Sequence, residues 1–254
     1  MIKSIIFLFT FYMVAITVNA QVDSVNTQTH HLKINQLSED TKTYVVYLQD
    51  SVNGIKYNFE IWERKVLKFN KINSLHWVRN KNSKGEYFQY KITFDNQFKP
   101  VSEQVFYQKK EGEEINTEKK YFIYEDGKLF SSNDSLQHNV PPFQLDDLKH
   151  SLNWELDLET ISALDWSDQK KYSVCFYHPG SRTPPNYYTY FVDRSEKLSF
   201  NNSESDCWVI KFMQAKQVFT EFWVDKKNNQ VLVVKDSIMG KFRFKRLIIG
   251  QITH

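Results

Sequence analysis

Short runs of alternating apolar and polar residues, separated by turn residues, constrain the fold of this chain more than any other feature. Examples are TYVVYLQD, KYNFEIWERKV and EYFQYKITFD. A period of two places the apolar side chains on one face of a β-strand, and turn residues between successive runs are typical of antiparallel hairpins. Residues 41–250 are therefore predicted to form a single all-β domain, mainly antiparallel, in which a large meander makes an open or closed β-barrel or half-barrel.

The clearest hairpin signal is Asn53-Gly54, which lies between the first two runs. Asn and Gly tolerate the positive φ angles of a two-residue type I′ turn, and this turn matches the twist of the flanking strands. We therefore expect a tight two-residue hairpin at this position.

A short helical insertion is expected at about residues 143–165, between two β halves of the domain. The alternation stops here, and Leu145, Leu148 and Leu152 follow one another at helical spacing. The next segment, LETISAL, predicts a second short helix with Asp157 as its N-cap.

The N-terminus has the order of a cleavable secretory signal peptide. Lys3 precedes an apolar stretch, and Val18-Asn19-Ala20 supplies a small-residue cleavage site. The apolar stretch is shorter than the roughly 20 residues that span a bilayer. We expect cleavage after Ala20, delivery to the periplasm or beyond, no integral membrane segment in the mature chain, and a flexible leader over residues 21–40.

Composition argues against several classes of partner and cofactor. The net charge of +3 lacks the clustered basic excess that nucleic acids require. The 20 Phe and 14 Tyr favour an ordered core, whereas the 7 Gly form no GxGxxG, GxxxxGK[ST] or GxSxG motif. The 7 His form no HExxH or HxH motif, and no paired CxxC occurs. We therefore expect no cofactor, no metal site and no nucleic-acid partner.

The two cysteines allow two interpretations. Cys175 lies in the strand-like KYSVCFYH and Cys207 at the head of DCWVIKF. In an exported protein they could form a disulfide that joins neighbouring strands. Alternatively, they are two buried thiols that pack as small apolar groups.

The WELDLE motif offers the sharpest candidate for catalysis. As a strand it would place Glu155, Asp157 and Glu159 on one face, which resembles the E-x-D-x-E signature of jelly-roll β-glucanases. In those enzymes the two glutamates act as nucleophile and acid/base across the glycosidic bond. As a helix the motif would place Glu155 and Glu159 on one face and Asp157 on another. A carbohydrate-active hydrolase that uses Glu155 and Glu159 is thus the alternative function.

Four tryptophans suggest a ligand site. Trp62, Trp77, Trp208 and Trp223 all fall inside predicted strands with Tyr and Phe neighbours. Such residues could line a concave apolar cavity for a lipid-like ligand. Equally, they could fill the interior of a wide barrel.

The C-terminal part of the chain carries an ordered series of motifs: LDLETISAL, FYHPGS, PNYYTYFV, DCWVI, FWVDKKNNQVL and GKFRFKRLI. Over residues 143–249 this series resembles a family of uncharacterised exported Gram-negative proteins of unknown function. Their pattern is similar to that of the barrel and half-barrel folds that include periplasmic lipoprotein carriers. The resemblance implies an antiparallel barrel with an apolar cavity, brings no catalytic residues, and includes the cysteine of DCWVI but not Cys175.

These observations lead to one main functional hypothesis. The chain is expected to be an exported, non-enzymatic envelope protein that binds a lipid-like or amphipathic ligand, or an envelope partner.

Overall fold

The computed structural model describes residues 21–29, 31–132, 144–145, 148, 150–200, 203–215, 218–238 and 240–248. The predicted signal peptide lies outside these residues. The strands are β1 (Val22–Val25), β2 (Lys42–Asp50), β3 (Lys56–Lys68), β4 (Ile72–Lys81), β5 (Glu86–Asp95), β6 (Pro100–Glu111), β7 (Glu114–Glu125), β8 (Lys128–Ser132), β9 (Gln144–Leu145), β10 (Leu152–Asn153), β11 (Lys171–Tyr177), β12 (Asn186–Phe200), β13 (Ser203–Ala215), β14 (Val218–Asp225), β15 (Val231–Ile238) and β16 (Lys241–Ile248). Helix α1 spans Asp157–Ser162, and 3₁₀ helices span Ile34–Gln36, Asn82–Lys84 and Trp154–Leu156.

The strands belong to one 16-stranded sheet. Its order is β1-β11-β12-β13-β14-β15-β16-β2-β3-β4-β5-β6-β7-β8-β9, and β10 also pairs with β11. Neighbouring strands are antiparallel, except that β1 and β10 run parallel to β11. The β16–β2 pair joins the C-terminal meander to the N-terminal one. The predicted all-β, mainly antiparallel fold with a short helical element is therefore confirmed.

Among the described residues, strand pairing does not close the sheet into a complete barrel, because β1 and β9 remain at the two ends of the order. Side chains bring the two ends together. Tyr177 of β11 packs with Phe122 of β7 and Leu129 of β8 in a small apolar cluster. The architecture is an open, barrel-like sheet whose edges are bridged by packing.

The main core lies on the face of the sheet that packs against α1, which we call the inner face. On β3 the buried Trp62, Arg64 and Val66 alternate with the exposed Glu63 and Lys65. This alternation is what an antiparallel strand with one buried and one solvated face requires. Buried residues on neighbouring strands, including Tyr44, Leu75, Trp77 and Ile92, extend the same core.

Residues 21–40, which the sequence predicts to be a flexible leader, include a paired strand and buried core residues. β1 pairs with β11, and the backbone N–H of Lys33 donates to the carbonyl of Ala163 at 2.9 Å. Val25 and Leu37 are buried in the main core. Backbone pairing with an open sheet edge orders this polar segment, and such pairing leaves no hydrophobic period in the sequence.

The first hairpin is confirmed, but its predicted two-residue turn is wrong. Gln49 lies opposite Lys56, and the backbone N–H of Asp50 donates to the carbonyl of Ile55 at 3.0 Å. The Asp50 carboxylate accepts the backbone N–H groups of Val52 and Asn53. These side-chain hydrogen bonds stabilise a longer loop, a role that Asp commonly has in turns.

The helical insertion is shorter than predicted. Leu145 and Leu152 lie in the short strands β9 and β10, and between them His150 has a positive φ of 58° that a helix cannot contain. The helix over LETISAL is confirmed as α1, although Asp157 is its first residue rather than its N-cap. The Asn153 side chain caps the preceding 3₁₀ turn by accepting the backbone N–H of Glu155.

Within the described ranges, no helix is both long and apolar enough to cross a bilayer.

Candidate functional site

Helix α1 is held against the inner face of the sheet by a buried ion pair. Arg64 on β3 donates from Nε to Glu159 Oε1 at 3.1 Å and from Nη2 to Glu159 Oε2 at 2.5 Å. Nη2 also donates to the carbonyl oxygen of Glu155 at 2.6 Å. Arg64 is 2% exposed and Glu159 3% exposed. The pair is thus shielded from water and fixes the insertion relative to β3.

The three acids of the WELDLE motif interact with three different basic side chains. Glu159 forms the pair just described, whereas Glu155 Oε1 lies 3.1 Å from His178 Nδ1. Asp157 Oδ2 lies 3.4 Å from Lys245 Nζ. The motif is helical, so the strand that would place all three acids on one face is not formed. In these helical turns successive side chains rotate about the axis instead of alternating between two faces, so the strand geometry of the glucanase signature is absent from the motif.

A cavity of about 480 Å³ lies between the insertion and strands β11 to β16. Its volume is within the range of small-molecule sites. Trp154 of the insertion makes edge-to-face contacts with Tyr188 and Phe176, with ring centroids 4.9 Å and 5.1 Å apart. The aromatic residues that line this space, which we call the aromatic cavity, are Trp154, Phe176, Tyr188, Tyr190, Phe212, Phe219 and Phe222.

The charged side chains of the aromatic cavity form ion pairs. Asp236 accepts a hydrogen bond from Arg243 Nε at 2.7 Å and one from the Thr220 hydroxyl at 2.8 Å. Burial opposes the ionisation of Asp236, but the cations Lys245 and Arg243 hold its pKa below the usual value. Lys245 in turn pairs with Asp157. The cavity thus combines an aromatic wall with a polar region of balanced charge.

The four tryptophans that the sequence suggested as ligand residues do not line the aromatic cavity. Trp62 and Trp77 are 4% and 3% exposed and pack in the core with ring centroids 5.0 Å apart. Trp223 is also buried, and the ring centroid of Trp208 lies 3.9 Å from Lys226 Nζ. The structure therefore assigns Trp62, Trp77 and Trp223 to packing.

Alternating aromatic residues on β12 and β13 line the cavity instead. Tyr188 and Tyr190 are two residues apart on β12, and Tyr190 lies opposite Phe212 on β13. The YYTYF run contains this period of two, which is a sequence signal for a shared strand face. Which of its two faces looks inward follows only from the position of the insertion.

Cys175 and Cys207 do not form a disulfide. They lie on β11 and β13, and β12 separates these strands in the sheet. Cys175 is opposite Tyr187, whereas Cys207 is opposite Glu196 at a distant position of the same strand. Both thiols are buried, and burial raises the pKa of Cys207 to about 11. The expectation that neighbouring strands carry them is wrong because the long strand β12 pairs with both.

Comparison with known proteins identifies a family and supports the fold. The family model described as "Protein of unknown function (DUF3108)" matches residues 43–243. No curated protein matches the chain significantly. Among solved structures, the chain is similar to the crystal structure of a β-barrel-like protein of domain of unknown function DUF1849 from Brucella abortus. The TM-score is 0.50 at 11% sequence identity, and the match covers 82% of this chain and 94% of that chain.

The solved structure supports the barrel-like fold alone, because its sequence identity is low. The family model covers most of the chain. It runs from β2 into β16 and includes both halves of the sheet and the helical insertion. The expected resemblance to proteins of unknown function with a barrel-like fold is confirmed. The chain therefore belongs to the family of proteins of unknown function DUF3108.

Proposed function

We propose that this chain is an exported, non-enzymatic envelope protein that binds an amphipathic ligand in the aromatic cavity. The observation that supports this function best is the cavity itself. It has a volume of about 480 Å³ and an aromatic wall, and its polar region contains Asp236, Arg243 and Lys245. An apolar chain would pack against the wall, and a polar group of the ligand would lie near the paired charges.

The energetics favour an apolar occupant. Burial of apolar surface stabilises a complex by about 25 cal/mol per Å² before the cost of association is subtracted. Tyr188 remains partly exposed although it contacts both Trp154 and Phe212. A ligand can therefore gain contact area at Tyr188 without first unfolding the core.

Export is the second part of the proposal. It is supported by the N-terminal sequence, in which Lys3, an apolar stretch and Val18-Asn19-Ala20 follow in the order of a signal peptide. Expression of the full-length gene in a Gram-negative host tests this directly. A periplasmic product whose mass begins at Gln21 supports export, and a cytoplasmic product with an intact N-terminus contradicts it.

Binding is tested with the fluorescent apolar probe N-phenyl-1-naphthylamine. Tyr188→Ala removes a wall residue and should weaken probe binding by at least about fivefold, because roughly 1 kcal/mol of apolar contact is lost. Tyr187→Ala is the matched control. It makes the same chemical change on the opposite face of β12, where Tyr187 is 43% exposed.

Two outcomes would contradict the binding proposal. One is absence of probe binding to the wild type, and the other is equal weakening by Tyr187→Ala and Tyr188→Ala. Organic extraction of the purified protein followed by lipid mass spectrometry then identifies the natural ligand. Co-purification of an envelope protein that competes with the probe would assign the cavity to a protein partner instead.

A further inference from the structure

A second concave region lies on the other side of the insertion. Trp154 lines the aromatic cavity, whereas the next residue, Glu155, lines a cleft of about 380 Å³ that strands β5 to β7 and the loop after β11 complete. We call this region the acidic cleft. Its aromatic lining residues are Phe88, Tyr90, Tyr107 and Phe122, and its ionisable ones are Glu103, Glu118, Lys120, Glu155 and His178.

Glu103 is the most deeply buried acid of the cleft. It is 2% exposed, and its cross-strand neighbours on β5 and β7 are the apolar Ile92 and Phe122. Asn153 Nδ2 donates a hydrogen bond of 2.6 Å to Glu103 Oε2. Among the residues that the structure describes, none donates a hydrogen bond to Oε1. One oxygen of a buried carboxyl group that lines the cleft therefore remains available to a ligand.

The charges near Glu103 are unbalanced. The Glu155 carboxylate repels a negative charge on Glu103, whereas protonated His178 attracts it. His178 also contacts Glu155, with 3.1 Å between Nδ1 and Oε1, and its side chain is 60% exposed. Burial, with a further contribution from Glu155, raises the pKa of Glu103 to about 8. The hydrogen bond to Glu155 raises the pKa of His178, although its exposure to solvent screens this interaction.

The other ionisable groups around Glu103 do not supply the missing cation. At the cleft, Lys120 pairs with Glu118 at 3.2 Å, and both side chains are about half exposed. Tyr124 and Tyr90 also face this region. Burial raises the pKa of both tyrosines, to about 12 for Tyr90, so neither carries a charge at neutral pH. A buried carboxylate without an adjacent cation is costly, and a cation brought by a ligand would lower that cost.

We propose that the acidic cleft binds a small primary ammonium ion, which donates a hydrogen bond to Glu103 Oε1 and packs its alkyl part against Phe88 and Tyr107. Aromatic faces attract ammonium groups. The ring centroids of Phe88 and Tyr107 are 4.6 Å apart, so the two rings form one apolar wall for the alkyl part. Arg79 and Lys81 also lie near the Phe88 ring, but their charges are paired with Glu60 and Glu86. The acidic cleft shares His178 with the lining of the aromatic cavity, but Glu103, Phe88 and Tyr107 do not line that cavity. The proposal does not depend on the function proposed for the aromatic cavity.

Binding should release a proton near neutral pH. Ionised Glu103 is the form that accepts the ammonium ion, so the carboxyl proton passes to solvent when the complex forms. The amine stays protonated throughout, and no bond other than the O–H bond of Glu103 is broken.

Isothermal titration calorimetry with butylammonium chloride and its neutral analogue 1-butanol tests the proposal at pH 7. Butylammonium should bind with an enthalpy that differs between phosphate and HEPES buffers, neither of which contains a primary amine, and this difference reports proton release; 1-butanol should not bind. Glu103→Gln should weaken butylammonium binding by at least about tenfold, because the charge-assisted hydrogen bond is lost. Glu118→Gln, which removes an exposed acid of the same cleft, should change the affinity by less than about twofold.

Several results would overturn the proposal: no binding of butylammonium at millimolar concentration, equal binding of 1-butanol, or an affinity that Glu103→Gln leaves unchanged. Circular dichroism confirms that each variant is folded. Apolar-probe binding by Glu103→Gln should equal that of the wild type, and butylammonium binding by Tyr188→Ala should also be unchanged. Failure of one site is thereby distinguishable from failure of the other.

Discussion

The buried ion pair between Arg64 and Glu159 should be the most sensitive polar contact of the fold. Glu159→Gln preserves the shape of the side chain and one acceptor oxygen, but it removes the negative charge that faces the guanidinium group at 3.1 Å and 2.5 Å. Arg64 is 2% exposed, so water cannot replace the lost partner. Leaving one member of a buried pair uncompensated typically costs about 3–5 kcal/mol of unfolding free energy. We expect about 3 kcal/mol, since Gln retains one hydrogen bond.

Urea denaturation followed by tryptophan fluorescence measures this loss. The matched control is Glu204→Gln, which removes the acid of an exposed pair with Lys197 at 3.4 Å. The side chains of Lys197 and Glu204 are 69% and 65% exposed. Such exposed pairs contribute at most about 1 kcal/mol to the free energy of unfolding. A loss below about 1 kcal/mol for Glu159→Gln, or equal losses for the two variants, would refute the reasoning.

The structure supports two further predictions. The wild type should lose stability relative to Glu103→Gln as the pH rises from about 4.5 to about 8, by at most about 5 kcal/mol, because the folded protein holds a proton on Glu103 that the unfolded chain has released. Urea titrations at pH 5 and pH 9 measure this difference, and parallel pH profiles would contradict it. Cys175 and Cys207 should react with Ellman's reagent only after unfolding, and dithiothreitol should leave the Tm unchanged, because both thiols are buried on strands that β12 separates. A fall in Tm on reduction would show that the two thiols pair.

The local elements could be predicted from the sequence because their signals are short-range. The runs around Trp62 and Tyr90 alternate with a period of two, and each forms a strand that pairs with its neighbour in sequence. The acids of LDLE likewise lie in the first turn of a helix. Errors arose where a hydrogen bond or a tertiary contact overrode the local pattern. The Asp50 carboxylate enlarged the first turn, and Leu145 and Leu152 paired with different strands although their spacing is helical.

The candidate sites depend on contacts between distant parts of the chain. Arg64 and Glu159 are 95 residues apart, and Glu103 and Asn153 are 50 apart. No periodicity links such residues, since their meeting requires both the β16–β2 pairing and the position of the insertion. The alternation of residues by itself determined an antiparallel, barrel-like sheet, because strand pairing between sequence neighbours needs only local turns. Tertiary structure alone decided which aromatic residues surround a cavity and which acids are buried, because burial and charge balance depend on the elements that the sheet brings together.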